Sequence, residues 1–479
     1  MKKLIQAALS FSVIMTLLLS FPAVVSASAE VVSVIQPDAV CAGLSASCTT
    51  NPGMSMASVT DGKQWTYYVA SPSGDHIEFL ADVPVKQLYF MFETPCQWTL
   101  SLPDGSVRQG GEQGFIHEYL SLDNEVTGFA MDIPGGSKLT NVYAFTEGNL
   151  PEWVQVWQPP VQKADLMVMP THADDEHLWF GGALPYYTGE LGYDVQVVYM
   201  TNHYKESRRC HEQLDGLWAV GVRNYPIISD KFYDSHASKT SYYSAAECFG
   251  HDRVLEFQVE MLRRFAPKVI IAHDIKGEYG HGAHILNATT LLEALEIYED
   301  PSVYPESAEK YGITKVQKCY LHLWKENQIV VEWSDKKLER FGGKTAYDMA
   351  VIGFQCHKSQ QNFNYKVKES DRYDCRLFGL AYTTVGNDTP GLNDMFEHVD
   401  MSDREAEKNA GKENAVETKP TEEAVSATDS QPGEKTPENI SGISVFGKQL
   451  SLSDAVIVAV AAVILLAAMI TVICLKRRE

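Results

Sequence analysis

Basic residues are in short supply: 40 Lys and Arg stand against 62 Asp and Glu, a formal net charge of −22 over 479 residues. A chain with that balance repels a phosphate backbone, which argues against nucleic acid as a partner. Cysteine is sparse as well, nine in all. Those outside residues 455–475 are too widely and irregularly spaced for a small disulfide-stapled domain. Cys41 and Cys48 are the expected local bridge, whereas Cys210, Cys248, Cys319, Cys356 and Cys375 fit free thiols and pairs equally well. Glycine is nowhere arranged as a phosphate loop. Neither Gly110-Gly111 nor Gly342-Gly343 stands between a strand and a helix, so no nucleotide site is expected.

Long apolar runs are confined to the two ends. Residues 1–29 open with Met1-Lys-Lys-Leu, continue apolar to about Val25 and reach Ala27-Ser28-Ala29, the order of a secretory signal peptide. Residues 455–475 carry no charge and are followed by Lys476-Arg477-Arg478 in a short tail, 476–479, the pattern of a bilayer span with a cytoplasmic basic flank. The expectation is a single-pass cell-membrane protein. Its ectodomain would be extracellular, its C-terminus cytoplasmic, and the membrane a partner through the C-terminal helix.

The roughly 420 residues between these ends exceed one usual core, so more than one domain is expected. Residues 30–158 hold short aromatic and β-branched runs, Ile77–Leu80, Gln87–Phe92, Trp98–Leu102 and Val142–Phe145, separated by Pro/Gly punctuation. That pattern predicts an all-β sandwich. Thr60-Asp61-Gly62, the following Trp65 and the closing Phe145-Thr-Glu-Gly-Asn-Leu-Pro151 resemble discoidin-like, galactose-binding-like modules, which implies a jelly roll and a possible glycan contact. Trp65, Tyr67, Tyr68, Trp98 and Trp153 fit core positions better than sugar platforms.

From residue 159 to 399 apolar runs alternate with helical stretches. Strands are expected at 165–170, 194–200 and 268–272, and helices at 176–189, 207–219, 252–265 and 284–298. The fold class is α/β, a Rossmann-like and mostly parallel sheet with helices on both faces. Ligands in that architecture gather beyond the carboxyl ends of the strands. Residues 231–250, with His236, read as a long Tyr- and Ser-rich loop, either a surface excursion or a lid. Residues 400–450 lose their aromatics and read as a disordered stalk.

Two clusters carry the chemistry. His172-Ala-Asp-Asp-Glu176 follows an apolar run, and Tyr279-Gly-His-Gly-Ala-His284 follows another about a hundred residues later. The first alone is explained as an acidic helix-capping turn. Its repetition as ligand-type residues after a separate strand points instead to a metal. His172, Asp175 and His284 supply two imidazoles and a carboxylate, a set suited to one zinc ion with an open position. Asp274 and Glu278 fit pocket acids and solvated surface equally, and His203, His211, His251 and His322 read as structural.

The paired motifs resemble the PIG-L/LmbE-like family of zinc-dependent N-acetylglucosaminide deacetylases over roughly 165–390. That resemblance implies zinc on His172, Asp175 and His284, Asp174 as general base, and His281 at the oxyanion or the leaving amine, with Tyr279 as a second candidate. It also implies supporting roles for Arg209, Glu212, Lys344 and His357. Two positions depart from the family pattern. Ala173 replaces a usual proline, and Gly282-Ala283 replace proline and an aspartate that would orient His281, a task left to Asp274 or Glu278. The expected function is zinc-dependent removal of acetyl from N-acetylglucosamine-type units of an extracellular or cell-wall glycan. The alternative is a carbohydrate-binding surface protein with weak or lost catalysis.

Overall fold

The computed structural model describes residues 36–206, 208–233 and 250–404, with two short paired strands at Ile443–Val445 and Lys448–Leu450. Two compact units divide the chain, Met1–Asp403 and Arg404–Glu479. The first contains both an all-β domain and an α/β domain.

The all-β domain is built from β1 (Leu44–Cys48), β2 (Tyr68–Val69), β3 (Asp75–Phe92), β4 (Trp98–Ser101), β5 (Val107–Gly110), β6 (His117–Ile133) and β7 (Lys138–Phe145). All pairings are antiparallel, in the order β2-β7-β3-β6-β4-β5 with β1 added on β3. The expected short strands 77–80 and 87–92 are thus parts of one long strand. Its pairing with β6 shifts register between Leu80 and Val85 and again before Gln87, and such irregularities bend a strand. Hydrogen bonding runs continuously through all seven strands, where two separate sheets of a sandwich are expected. Cys41 and Cys48 are both free thiols. This corrects the expected bridge: Cys48 packs inward beside Tyr68 and Thr50, and Cys41 lies outside β1 against the carbonyl of Ala42. Tyr68 and Trp98 are core residues, but Trp65 and Trp153 are 54% and 47% exposed.

The second sheet runs β10-β9-β8-β11-β12-β16-β13. Its strands are β8 (Leu166–Met169), β9 (Val195–Tyr199), β10 (Ile227–Ile228), β11 (Val269–Ala272), β12 (Lys318–His322), β13 (Gln328–Val330) and β16 (Leu377–Thr383); a separate ribbon pairs β14 (Lys337–Leu338) with β15 (Lys344–Thr345). The first five strands are parallel, and β16 is antiparallel to both β12 and β13. The sheet is therefore mixed. Strands β8, β9, β11 and β12 are buried at every residue, and β8 and β11 accordingly read as unbroken apolar runs, while β9 and β12 include Gln196, Lys318 and His322. In β8, Leu166 and Val168 join one core cluster while Met167 and Met169 join another, so both faces are covered. The helices are α1 (Asp175–Leu178), α2 (Arg209–Ala219), α3 (His251–Phe265), α4 (Gly282–Ile297), α5 (Pro305–Tyr311) and α6 (Ala346–Cys356). The single helix expected over 176–189 is broken. Only α1 is α-helical, and a wider π-type turn follows at Pro185–Glu190, where the proline lacks the N–H an α-helix needs.

The two domains of this unit share a wall. Phe115 and Ile116 belong to the same core cluster as β8 and α2, and Phe115 stacks on Tyr225 with ring centroids 4.2 Å apart. Burying two such side chains contributes on the order of 2 kcal/mol each. Beside them His117 Nε2 lies 2.7 Å from His211 Nδ1 of α2, and its Nδ1 lies 2.8 Å from Gln155 Oε1.

Among the described residues no helix is long and apolar enough to cross a membrane. This finding corrects the membrane reading: the single-pass topology, the membrane partner, the extracellular ectodomain and the signal peptide are not carried forward. Residues 1–29 and 455–479, on which that reading rested, lie outside the described residues, as do His236, Cys248 and residues 234–249 of the expected loop.

His117 yields a prediction. Burial, with the neighbouring His211, holds its imidazole well below the ordinary 6.5, so it stays neutral in the fold and takes up a proton on unfolding. The unfolded chain binds the extra proton below about pH 6.5, and stability falls as pH drops from there. This residue should contribute up to about 1.4 kcal/mol per pH unit to that loss. Denaturation of wild type and His117→Gln at pH 7.5 and 5.5 checks it: the variant should show the shallower dependence, and equal slopes would exclude His117.

Candidate metal centre

Neighbouring parallel strands end on the same edge, and four of them deliver a histidine there: His203 after β9, His172 after β8, His273 after β11 and His322 as the last residue of β12. The chain leaves β8 toward β9 and returns on its other side as β11, so the crevice between their loops is the switch point at which such sheets bind ligands.

Three donor atoms converge in it. His172 Nδ1 and His284 Nε2 are 3.1 Å apart, and each is 3.3 Å from Asp175 Oδ2. The opposite faces of Asp175 and His284 are fixed. Asp175 Oδ1 accepts the Trp179 indole N–H at 2.7 Å, and His284 Nδ1 lies 2.7 Å from Glu278 Oε2, which leaves its Nε2 as the lone-pair nitrogen. Although buried, Asp175 is held well below the usual carboxylate range by His284 and His273.

Overlapping groups of potential ligands are His172 with His281 and His284, and Asp175 with His273 and His284. Hydrogen bonding separates them. His273 Nε2 accepts the Thr171 N–H at 2.9 Å while its Nδ1 faces Glu278 at 3.2 Å, so neither nitrogen is left to a metal. His281 Nδ1 accepts the Ala283 N–H at the start of α4, 3.3 Å away, which puts its proton on Nε2. A third group, Glu176, His177 and His357, is buried behind Asp174. There a Cβ on Gly353 would stand 2.4 Å from the His177 ring, so glycine is what lets α6 approach so closely.

Asp174 sits beside the convergence point in an unusual backbone conformation, φ 106°, of the kind that stores about 1–3 kcal/mol. Its N–H donates to Glu176 Oε2 at 2.8 Å, and its carbonyl accepts from His177 and Leu178. Those bonds hold the strain and turn the carboxylate into a cavity of ≈ 280 Å³ lined also by His172, Asp175, Arg209, Tyr279 and His281. Burial raises the Asp174 carboxyl to about 7. The Arg209 guanidinium, 3.7 Å away, opposes that rise, and the charge of Asp175 adds to it.

The supporting residues divide. Arg209 lines the cavity and donates to the Ala173 carbonyl at 2.7 Å. Glu212 does not line it. Glu212 accepts the Ser359 N–H at 2.9 Å and ties α2 to the turn at Lys358–Gln360. His357 is buried 3.0 Å from Glu176 Oε1. Asp274 is buried outside the cavity lining, and burial raises its carboxyl. Lys344 corrects an expectation: it is exposed on the β14–β15 ribbon, whose pairing with Leu338 carries it away from the cavity. Glu278, by contrast, is fully committed. Its carboxylate meets His273, His284 and His322 at 2.7 to 3.3 Å and accepts the Asp274 N–H at 3.0 Å. These imidazoles, His273 foremost, hold it well below its ordinary value against the opposing effect of burial.

Sequence reading missed His273, Trp179 and Tyr365. His273 stands directly after the apolar run of β11, a position as telling as that of His172. The two aromatics carry no spacing signal, since Tyr365 reaches Tyr279, at 4.5 Å between ring centroids, only through the tertiary fold. The structure also accounts for Ala173. Its N–H donates to His203 Nε2 at 3.1 Å, a bond that proline cannot make.

The PIG-L family model, described as GlcNAc-PI de-N-acetylase, matches residues 166–295, the stretch from β8 to α4 that holds both clusters. A 1D-myo-inositol 2-acetamido-2-deoxy-alpha-D-glucopyranoside deacetylase 2 from Saccharopolyspora erythraea is 30% identical over 174 residues, covering 31% of this chain and 63% of that protein. The corresponding deacetylase 1 of Catenulispora acidiphila is 24% identical over 181 residues, 33% of this chain and 56% of its own. The chain thus spans less than two thirds of the length of these relatives. Among solved structures, N,N'-diacetylchitobiose deacetylase from Pyrococcus horikoshii aligns with a TM-score of 0.32 at 16% identity, over 42% of this chain and 73% of that one. The part of the chain that is similar to the PIG-L family model is thus residues 166–295, and an all-β domain precedes it.

Proposed function

We propose that this protein is a zinc-dependent hydrolase that removes the acetyl group from N-acetylglucosamine-type units of a glycan or glycoconjugate, with residues 159–399 as its hydrolase domain. The observation that carries the reading is the convergence of His172 Nδ1, Asp175 Oδ2 and His284 Nε2 within 3.1 to 3.3 Å of one another, next to a second carboxylate in an open cavity. Donors at the zinc distance around a tetrahedral ion stand about 3.3 Å apart, so these residues fit one zinc ion. The names of the relatives, each an acetamido-sugar deacetylase, support the substrate class.

When bound, zinc supplies Lewis-acid polarisation of the amide carbonyl and activation of water. Asp174 accepts the proton of the attacking water, and Arg209 keeps that carboxylate charged and turned inward. His281, half-buried at the rim with its proton on Nε2, donates a hydrogen bond to the oxyanion, with Tyr279 as the second donor at that end, and Asp174 passes the water's proton to the departing nitrogen. The amide C–N bond breaks, acetate keeps the water oxygen, and the amine leaves with the water's proton. Glu278 positions His284, and the Ala283 N–H orients His281. The paired N–H of Ala173 accounts for the first of the two sequence departures.

Acetate release from N-acetylglucosamine and its oligosaccharides, measured with chelator and after adding zinc back, tests the assignment: release should vanish and return. Asp174→Asn should keep its zinc and lose about 10²- to 10⁴-fold in kcat; an unchanged rate removes Asp174 as base. Glu278→Gln should weaken zinc binding by about 10- to 100-fold in a chelator competition, while equal affinity would make Glu278 only a packing residue. The pH profile follows from the sign of the Asp174 shift. The base must be ionised, so kcat/KM falls as pH drops through its pKa, about 7 without metal. A bound cation favours the charged form, which puts the limb of the loaded enzyme below 7. Arg209→Gln removes a charge that lowers this pKa and should move the limb upward; an unmoved limb belongs to another group.

A further inference from the structure

A second cavity, ≈ 600 Å³ and so about twice the first, opens between the all-β domain and α2. Its apolar wall is aromatic: Trp65, Tyr89 and Tyr143 from the all-β domain, Trp153 from the connection, and Trp218 from α2. Trp65 and Trp153 are both about half-exposed. Trp153 is nevertheless held in place, edge-on to Tyr143 at 4.9 Å and to Tyr89 at 6.1 Å, so its free face is fixed before any ligand arrives.

The polar side of the cavity is equally ordered. Asp215 of α2 takes the Gln64 amide on Oδ2 at 2.8 Å and the Gln155 amide on Oδ1 at 2.7 Å. Each domain thus contributes to one array of carboxylate and amide groups. Lys358 and Glu152 complete the lining with opposite charges, which leaves nothing to favour a phosphate or another strongly anionic ligand. Flat aromatic faces opposite planar hydrogen-bonding groups match a pyranose, whose ring presents an apolar C–H face and a hydroxyl edge.

The two cavities share their dividing elements. Arg209, near the start of α2, lines the first, and Asp215 and Trp218 on the same helix line the second, which separates them by about 9 to 14 Å along the axis. The turn Lys358–Gln360 does likewise, with Lys358 in the second and Gln360 in the first. On the rim between them the Arg208 guanidinium lies 5.9 Å from the Trp65 ring. That separation suits different units of one ligand chain.

We propose that the cavity between the all-β domain and α2 is a distal saccharide subsite, which binds further units of the N-acetylated glycan whose acetamide occupies the metal cavity. The substrate class rests on the function proposed above; the subsite itself rests on the aromatic and amide lining.

The test uses the full chain, N-acetylglucosamine and its linear tetramer, and the variants Trp65→Ala and Trp153→Ala. Trp65 is the more exposed and has little packing to lose, so it remains informative if Trp153→Ala does not fold. Calorimetric binding of the tetramer should weaken about tenfold in Trp65→Ala. KM for the tetramer should rise by a similar factor while kcat, and KM for the monosaccharide, stay put. Tetramer binding that is absent from wild type, or equal in wild type and Trp65→Ala, overturns the subsite even if acetate is released. Tryptophan-dependent binding without any acetate release upholds the subsite and sinks the deacetylase reading instead.

Discussion

The metal cluster depends on one buried carboxylate. Glu278 accepts the Nδ1–H of His284 and so decides which nitrogen of that imidazole faces His172 and Asp175. It draws His273 and His322 inward as well, from the ends of two adjacent strands. A lone carboxylate so deep in the fold would be costly to ionise; surrounded by imidazoles it is the group around which they are ordered. Its own backbone, at φ 53°, bends the chain between β11 and α4 so that this carboxylate and His284 lie on the same side of the crevice.

Much of this was legible in the sequence because parallel strands buried on both faces are continuous apolar runs, and the residues that follow them must meet at one edge. Hence β8 and β11, with His172 and His284 beyond them, could be read directly, whereas His273 was missed. What could not be read depends on direction within the crevice. Asp274 and Glu278 are four apart in one loop, and only the fold shows that the second turns into the imidazole cluster. Lys344 and His357 likewise occupy a similar stretch of sequence, yet a two-residue strand pairing carries one to the surface while the close approach of α6 buries the other. In the all-β domain, aromatic and β-branched runs suggested separate short strands, because the register shifts between Leu80 and Gln87 interrupt the pattern without ending the strand. Trp65 and Trp153 resemble core residues by composition, and it is the geometry of the interdomain wall that leaves them half-exposed.

Helix α2 carries the information that neither domain holds alone. His211, Asp215 and Trp218 recur at the four- and three-residue spacing of one helical face. They meet His117, the Gln64 and Gln155 amides, and the backbone carbonyl of Glu152, which accepts the Trp218 indole N–H at 2.7 Å. The helix begins at Arg209, which reaches the metal cavity. A rotation of α2 would therefore disturb the interdomain contacts and the base together.

The shared core around Phe115 and Ile116 has a consequence for how such a chain can change over evolutionary time. A module joined by a linker can be gained, lost or exchanged by recombination, since its partner keeps a finished surface. Here the all-β domain covers an apolar face of its neighbour and supplies half of a buried histidine contact. Deleting it would leave Tyr225, Trp218 and His211 facing water. The pair is bound to be inherited as one piece, and its specificity can drift only through paired substitutions on both sides of the seam.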